Sequence, residues 1–122
     1  MANILIVDPD QASLDLLQRF CTEEMHITCR TAHNGQEALQ ILSEDSPDLV
    51  LSEIELPDLD GLELLRRIRR SMSSVPVVLI ANPTTGYTRV EALKWGAKGF
   101  FTKPLSLMML NVELLRLLQQ RR

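Results

Sequence analysis

A chain of 122 residues, 45% hydrophobic, can bury one two-sided core but not two. Its formal charge of −3 is too small to imply nucleic acid or an anionic membrane as an obligatory partner. No apolar run reaches the ~18 residues of a membrane span, and no basic and apolar leader precedes the first strand.

In chain order, Asn3 to Val7 is an aliphatic run closed by Asp8-Pro9-Asp10, and the apolar spacing then changes to Leu14, Leu17, Phe20 and Cys21. A strand passes into a helix there, capped by Asp8 or Asp10, with Pro9 tolerated in the first turn because its missing amide would be unpaired anyway. Ile27 to Ala32 alternates with polar residues and predicts a second strand at a sheet edge. Asn34-Gly35 breaks it, and a second helix turns Ala38, Ile41 and Leu42 inward before Ser46-Pro47. Cys21 and Cys29, with neither CxxC nor metal-ligand spacing, read as free thiols in a reducing cytoplasm.

The stretch from Asp48 to Leu65 organises the chain. Leu49 to Leu51 is too continuously apolar for a strand with one wet face, which predicts a central strand of a parallel sheet. Glu53 and Glu55 follow at its carboxyl end, where open α/β sheets place their chemistry. Pro57-Asp58-Leu59-Asp60-Gly61 is turn chemistry, and Leu62, Leu65 and Ile68 carry a third helix whose outer face, Arg66, Arg67, Arg69 and Arg70, reads as solvated. Val75 to Ile80 predicts another buried strand, ending in the breaker-rich and mobile loop Ala81 to Gly86. A short helix from Thr88 to Trp95, a strand Phe100-Phe101-Thr102, Lys103-Pro104 and a helix from Leu105 to Gln119 complete the chain.

Five strands alternating with five helices define an α/β fold: a flavodoxin-like, doubly wound, five-stranded parallel sheet of order 2-1-3-4-5, one domain over residues 1–122. That order brings Asp8 and Glu53 to one cleft. On the last helix Leu107, Leu110, Leu114, Leu117 and Leu118 form a core-facing stripe, while Met108, Val112 and Leu115 form a second stripe, covered by neighbouring elements or left as a partner surface that the adaptable Met109 would extend. His26 and His33 lack carboxylate or thiol companions and read as ordinary surface histidines, Trp95 reads as packing, and Ser13, Ser43 and Ser52 lack a nucleophile elbow.

Ile4-Leu5-Ile6-Val7-Asp8, Pro57-Asp58-Leu59-Asp60-Gly61 with Leu62, and Gly96-Ala97-Lys98-Gly99-Phe100 running into Lys103-Pro104, in this order and spacing, resemble the receiver domain of bacterial two-component response regulators. The resemblance covers essentially the whole chain. It implies an aspartate that accepts a phosphoryl group from a histidine kinase, a pair of consecutive acids for Mg²⁺, a hydroxyl after the fourth strand, and a lysine before a proline. Asp8 and Lys103 match. The second acid is Pro9, the acceptor position is Glu53, the hydroxyl position is Ala81, and the coupled aromatic position is Phe100.

These departures imply a degenerate acceptor at Glu53 beside an acidic pocket of Asp8, Asp10 and Glu55, with Mg²⁺ on Asp8 and Glu53 disfavoured. The expected function is a non-catalytic, cytoplasmic pseudo-receiver held in one state by the Glu53 charge near Lys103. It would contact a protein partner or a second copy through the last helix, where the resemblance also implies dimerisation. The alternative is a working receiver in which Glu55 or Asp10 replaces the missing ligand, served by a histidine kinase and Mg²⁺, with a fused effector domain as a further partner. A small-molecule binder or hydrolase on the same fold is disfavoured, because Asp8-Pro9-Asp10-Gln11 lacks the glycines of a phosphate-cradling loop.

Overall fold

The computed structural model describes residues 2–72, 74–84, 86 and 89–120. Its strands are β1 (Asn3–Val7), β2 (Thr28–Ala32), β3 (Leu49–Glu53), β4 (Val77–Ala81) and β5 (Gly99–Thr102), all parallel and in the order β2-β1-β3-β4-β5. The helices are α1 (Gln11–Arg19), α2 (Gly35–Glu44), α3 (Gly61–Ser71), α4 (Arg89–Lys94) and α5 (Leu107–Gln120), and a π turn, Phe20–Glu24, continues α1.

Every residue of β3 and β4 is buried, as their unbroken apolar runs require, while β2 alternates and lies at an edge. Alternation along the strands divides the core in two. Leu5, Val7, Val50 and Leu79 face α2, α3 and α4, whereas Ile6, Leu51, Val78 and Ile80 face α1 and α5. Each such side chain contributes about 1.5–3 kcal/mol on burial, so the sheet is a rigid base for its rim residues.

Local chemistry moves several boundaries. Asp10, not Asp8, caps α1 by accepting from the Ser13 amide at 3.2 Å, which leaves Pro9 outside the helix. Pro76 has no amide for the ladder, so β4 begins at Val77 and runs through Ala81. Ser106 Oγ accepts from the Met109 amide at 3.2 Å, so α5 starts at Leu107 rather than Leu105. Leu64 is a buried face residue of α3, and Leu62 is only partly covered. Arg69 departs from the solvated arginine face and donates to the Val75 carbonyl, while Arg66 lies over the half-exposed Trp95 ring at 5.5 Å. His33 does have a carboxylate companion, Glu37 Oε1 at 3.2 Å. Cys21 is buried and Cys29 half-buried, both as free thiols. Thr85 in the expected loop, Thr88 at the expected helix start, and the terminal Arg121 and Arg122 lie outside the described residues.

Candidate functional site

Because the strands are parallel, their carboxyl ends share one rim with the amino ends of the helices. Asp8 leaves β1 there, and Glu53 ends the adjacent β3. Lys103 follows β5, its amide tied to the Ala81 carbonyl at 2.9 Å, so it reaches back across the rim from the far side of β4. Its Nζ stands 3.0 Å from Glu53 Oε2 and 3.4 Å from Asp8 Oδ2. The hydrogen bond from Nζ goes to Asp8, while Glu53 Oε2 is buried in the ion pair without a hydrogen bond.

Asp8 is 1% and Glu53 3% exposed, so two carboxylates share one partly exposed ammonium out of water. Burial pushes the Glu53 carboxyl above its ordinary range, and the neighbouring Asp8 and Glu55 charges add to that against the pull of Lys103. For Lys103, burial alone works against the charged form, but the two carboxylates more than reverse it and its pKa is raised. The cluster therefore holds its lysine charged and makes one of its acids reluctant to ionise.

The other members expected in the acidic pocket stand apart from it. Asp10 is exposed and turned to the start of α1, where hydrogen bonds from Ser13 hold its carboxyl below the usual range. Glu55 is exposed beyond the end of β3. A divalent cation of the Mg²⁺ type requires several free oxygen ligands. Asp8 Oδ1 already accepts from the Asp10 amide at 2.9 Å, its Oδ2 faces Lys103, and Pro9 offers no carboxylate. Among the described residues no group of three His, Cys, Asp or Glu side chains converges on a metal position. The residues present do not fit the ion.

Tight backbone contacts hold the rim. The Gly61 amide donates to the Ile54 carbonyl at 2.6 Å, and a Cβ on Gly61 would lie 2.6 Å from the Glu53 carbonyl oxygen, so only glycine lets α3 begin this close to β3. Asp58, which the sequence presents as a turn residue, reaches the start of α2 and accepts from the Gly35 and Gln36 amides at 2.8 Å each. Burial opposes its charge, but those bonds and one from Leu59 outweigh it and lower its pKa. A 23-residue separation left no local signal for that contact. Ala81 and Phe100 lie in one apolar cluster, with the ring buried and the Phe100 carbonyl accepting from Arg89 at 3.1 Å. On α5, Leu110, Leu114 and Leu117 are buried, whereas Met108, Val112 and Leu115 are 76%, 57% and 41% exposed. Of the two fates open to the second stripe, the structure shows the uncovered one.

A family model described as the response regulator receiver domain matches residues 4–115. The chain belongs to that family. The receiver is 37% identical over 122 residues to an uncharacterized 14.6 kDa protein in the sodA1 3' region of Leptolyngbya boryana, covering 97% of this chain and 88% of that protein. It is 36% identical to the transcriptional regulatory protein TrcR of Mycobacterium tuberculosis, covering 96% of this chain and 45% of the regulator, and 36% identical to the regulatory protein AtoC of Escherichia coli, covering 95% and 25%. The chain thus spans less than half of those two regulators. Among solved structures, NtrX of Brucella abortus superposes with a TM-score of 0.90 at 33% identity over 99% of this chain and 28% of its own. A CheY-like receiver of Methanospirillum hungatei superposes at 0.89 and 26% identity over 99% and 96%. The receiver's strand order is the one expected from the sequence, and no helix among the described residues is long and apolar enough to cross a membrane.

Proposed function

We propose that this two-component receiver domain is a non-catalytic cytoplasmic module that signals by protein contact, without Mg²⁺ and without aspartyl phosphorylation. The observation that carries the reading is the Lys103 ammonium held between Asp8 and Glu53 at 3.4 and 3.0 Å. A phosphoryl group in that place would need the lysine free, a cation on the acids and a hydroxyl opposite, yet the lysine is engaged and position 81 is a methyl group. Glu53 also carries its carboxylate one methylene further from the backbone than aspartate, and in-line transfer loses ~10²-fold in rate for about 1 Å of misplacement. Its acid group beside Lys103, present without any phosphorylation, supports a single output conformation, with Phe100 buried against the cluster that contains Ala81.

The output surface in this reading is the outward stripe of α5, Met108, Val112 and Leu115, an exposed apolar strip on a rigid helix that suits a protein partner. Incubation with acetyl phosphate and Mg²⁺, followed by intact mass and amide chemical shifts, tests the proposal. The expected result is an unmodified chain with unchanged shifts; stoichiometric modification with shifts around Phe100 would refute it.

A further inference from the structure

The two thiols belong to different elements that the chain brings to one place. Cys21 lies in the π turn that continues α1, and Cys29 is in the edge strand β2. Strand alternation turns Cys29, like its β1 neighbour Ile4, toward α1, where it packs against the cluster that contains Cys21. The π turn and His26, at φ 56° the one non-glycine residue of positive φ among the described residues, reverse the chain between the two cysteines. Ile27 then holds both ends of the reversal. Its amide donates to the Cys21 carbonyl at 2.9 Å, and its carbonyl accepts from Cys29 Sγ at 3.8 Å.

The sulfurs themselves are hydrogen-bonded, which divides their roles. The bond that the Cys21 thiol donates holds Cys29 below the usual thiol range, against the effect of its burial. The same bond, together with burial and the Cys29 charge, pushes the Cys21 thiol up. Access follows the same division, because Cys21 is buried and Cys29 is half-buried at the edge of the sheet. The accessible sulfur is therefore also the readier nucleophile, and the protected one stands behind it.

We propose that Cys21 and Cys29 are a reversible disulfide-forming pair whose oxidant is a hydroperoxide, with Cys29 oxidised first and Cys21 resolving it. The Cys29 thiolate attacks one oxygen of the peroxide bond; that bond breaks, the other oxygen leaves with a proton from water, and Cys29 becomes a sulfenic acid. The Cys21 sulfur then bonds to the Cys29 sulfur, and the hydroxide displaced takes the Cys21 proton and departs as water. The pair loses two electrons and the peroxide gains them. Once Cys29 is a neutral sulfenic acid, the charge that opposed ionisation of Cys21 is gone. A dithiol reopens the bond by exchange, as a transient disulfide in a reducing compartment requires. The bond ties the π turn to the start of β2, at the end of the sheet away from Glu53 and Lys103, and involves neither of them.

Exposure of the full chain to a modest excess of hydrogen peroxide, followed by quenching, alkylation in denaturant and intact mass, tests this. The expected product is a single chain lighter by two hydrogens, with no alkylatable thiol, a peptide pair joining Cys21 to Cys29, and full recovery with dithiothreitol. Cys29→Ser is expected to slow oxidation of the remaining thiol at least about tenfold. Cys21→Ala, checked for folding by circular dichroism, is expected to hold Cys29 as a sulfenic acid that dimedone traps. A wild-type chain that keeps both thiols, stops at a sulfenic or sulfinic acid, or joins only to a second copy overturns the proposal, and this result needs no variant. So does a Cys29→Ser chain that oxidises within about tenfold of the wild-type rate, or a folded Cys21→Ala chain that forms no dimedone adduct.

Discussion

The two rims of this sheet use the same kinds of charged side chain under opposite conditions. At the carboxyl rim Asp8 and Glu53 are withdrawn from water and share the half-buried ammonium of Lys103. At the amino rim Glu23, Glu24, Asp45, Arg70, Lys94 and Lys98 are solvated. A buried charge must be paired or neutralised, so each member of the triad matters to folding, whereas an exposed charge contributes little to stability and acts through association. Position relative to water, rather than residue type, decides which task a charge performs here.

The comparison breaks most visibly at lysine. Lys103→Met strands two buried carboxylates and is expected to cost about 3 kcal/mol or more in urea unfolding, the penalty for removing one partner of a buried ion pair. Lys94→Met, the matching change at the other rim, is expected to stay within about 0.5 kcal/mol. Equal losses from the two changes would contradict the distinction.

A carboxylate at the carboxyl rim but in water falls between these limits. Asp10→Ala removes the α1 cap and is expected to cost about 1 kcal/mol by the same measurement, without altering the resonance of the Lys103 ammonium. A change in that resonance would place Asp10 in the ion cluster after all.

The smallest effect is a slope. Because the folded state raises the Glu53 pKa above its unfolded value, the folded chain binds the extra proton more readily, and this group favours folding more as pH falls from neutrality toward its ordinary value near 4.5. The stability of the wild type relative to Glu53→Gln is therefore expected to increase between pH 7 and pH 5. A flat or falling difference would mean that Glu53 is not desolvated.

Much of this was legible in the chain because apolar continuity is a local signal. Leu49 to Leu51 and Val75 to Ile80 announced buried parallel strands, and with Glu53 after the first of them and Asp8 after β1 the position of the cleft followed, although Pro76 moved the start of β4 to Val77. What escaped depended on contacts across the sequence. Asp58 accepts from the first amides of α2 across 23 residues, Arg69 turns from the arginine face to the Val75 carbonyl, and the choice of Asp10 over Asp8 as helix cap freed Asp8 for Lys103.

The central claim is that Lys103, Asp8 and Glu53 form a closed ion cluster rather than an acceptor site, and titration of the labelled chain with Mg²⁺ and beryllofluoride under amide and ammonium NMR tests it most directly. No saturable shift at Glu53, Ala81 or Lys103 is predicted. Saturable shifts at all three, with beryllofluoride bonded to Glu53, would contradict it.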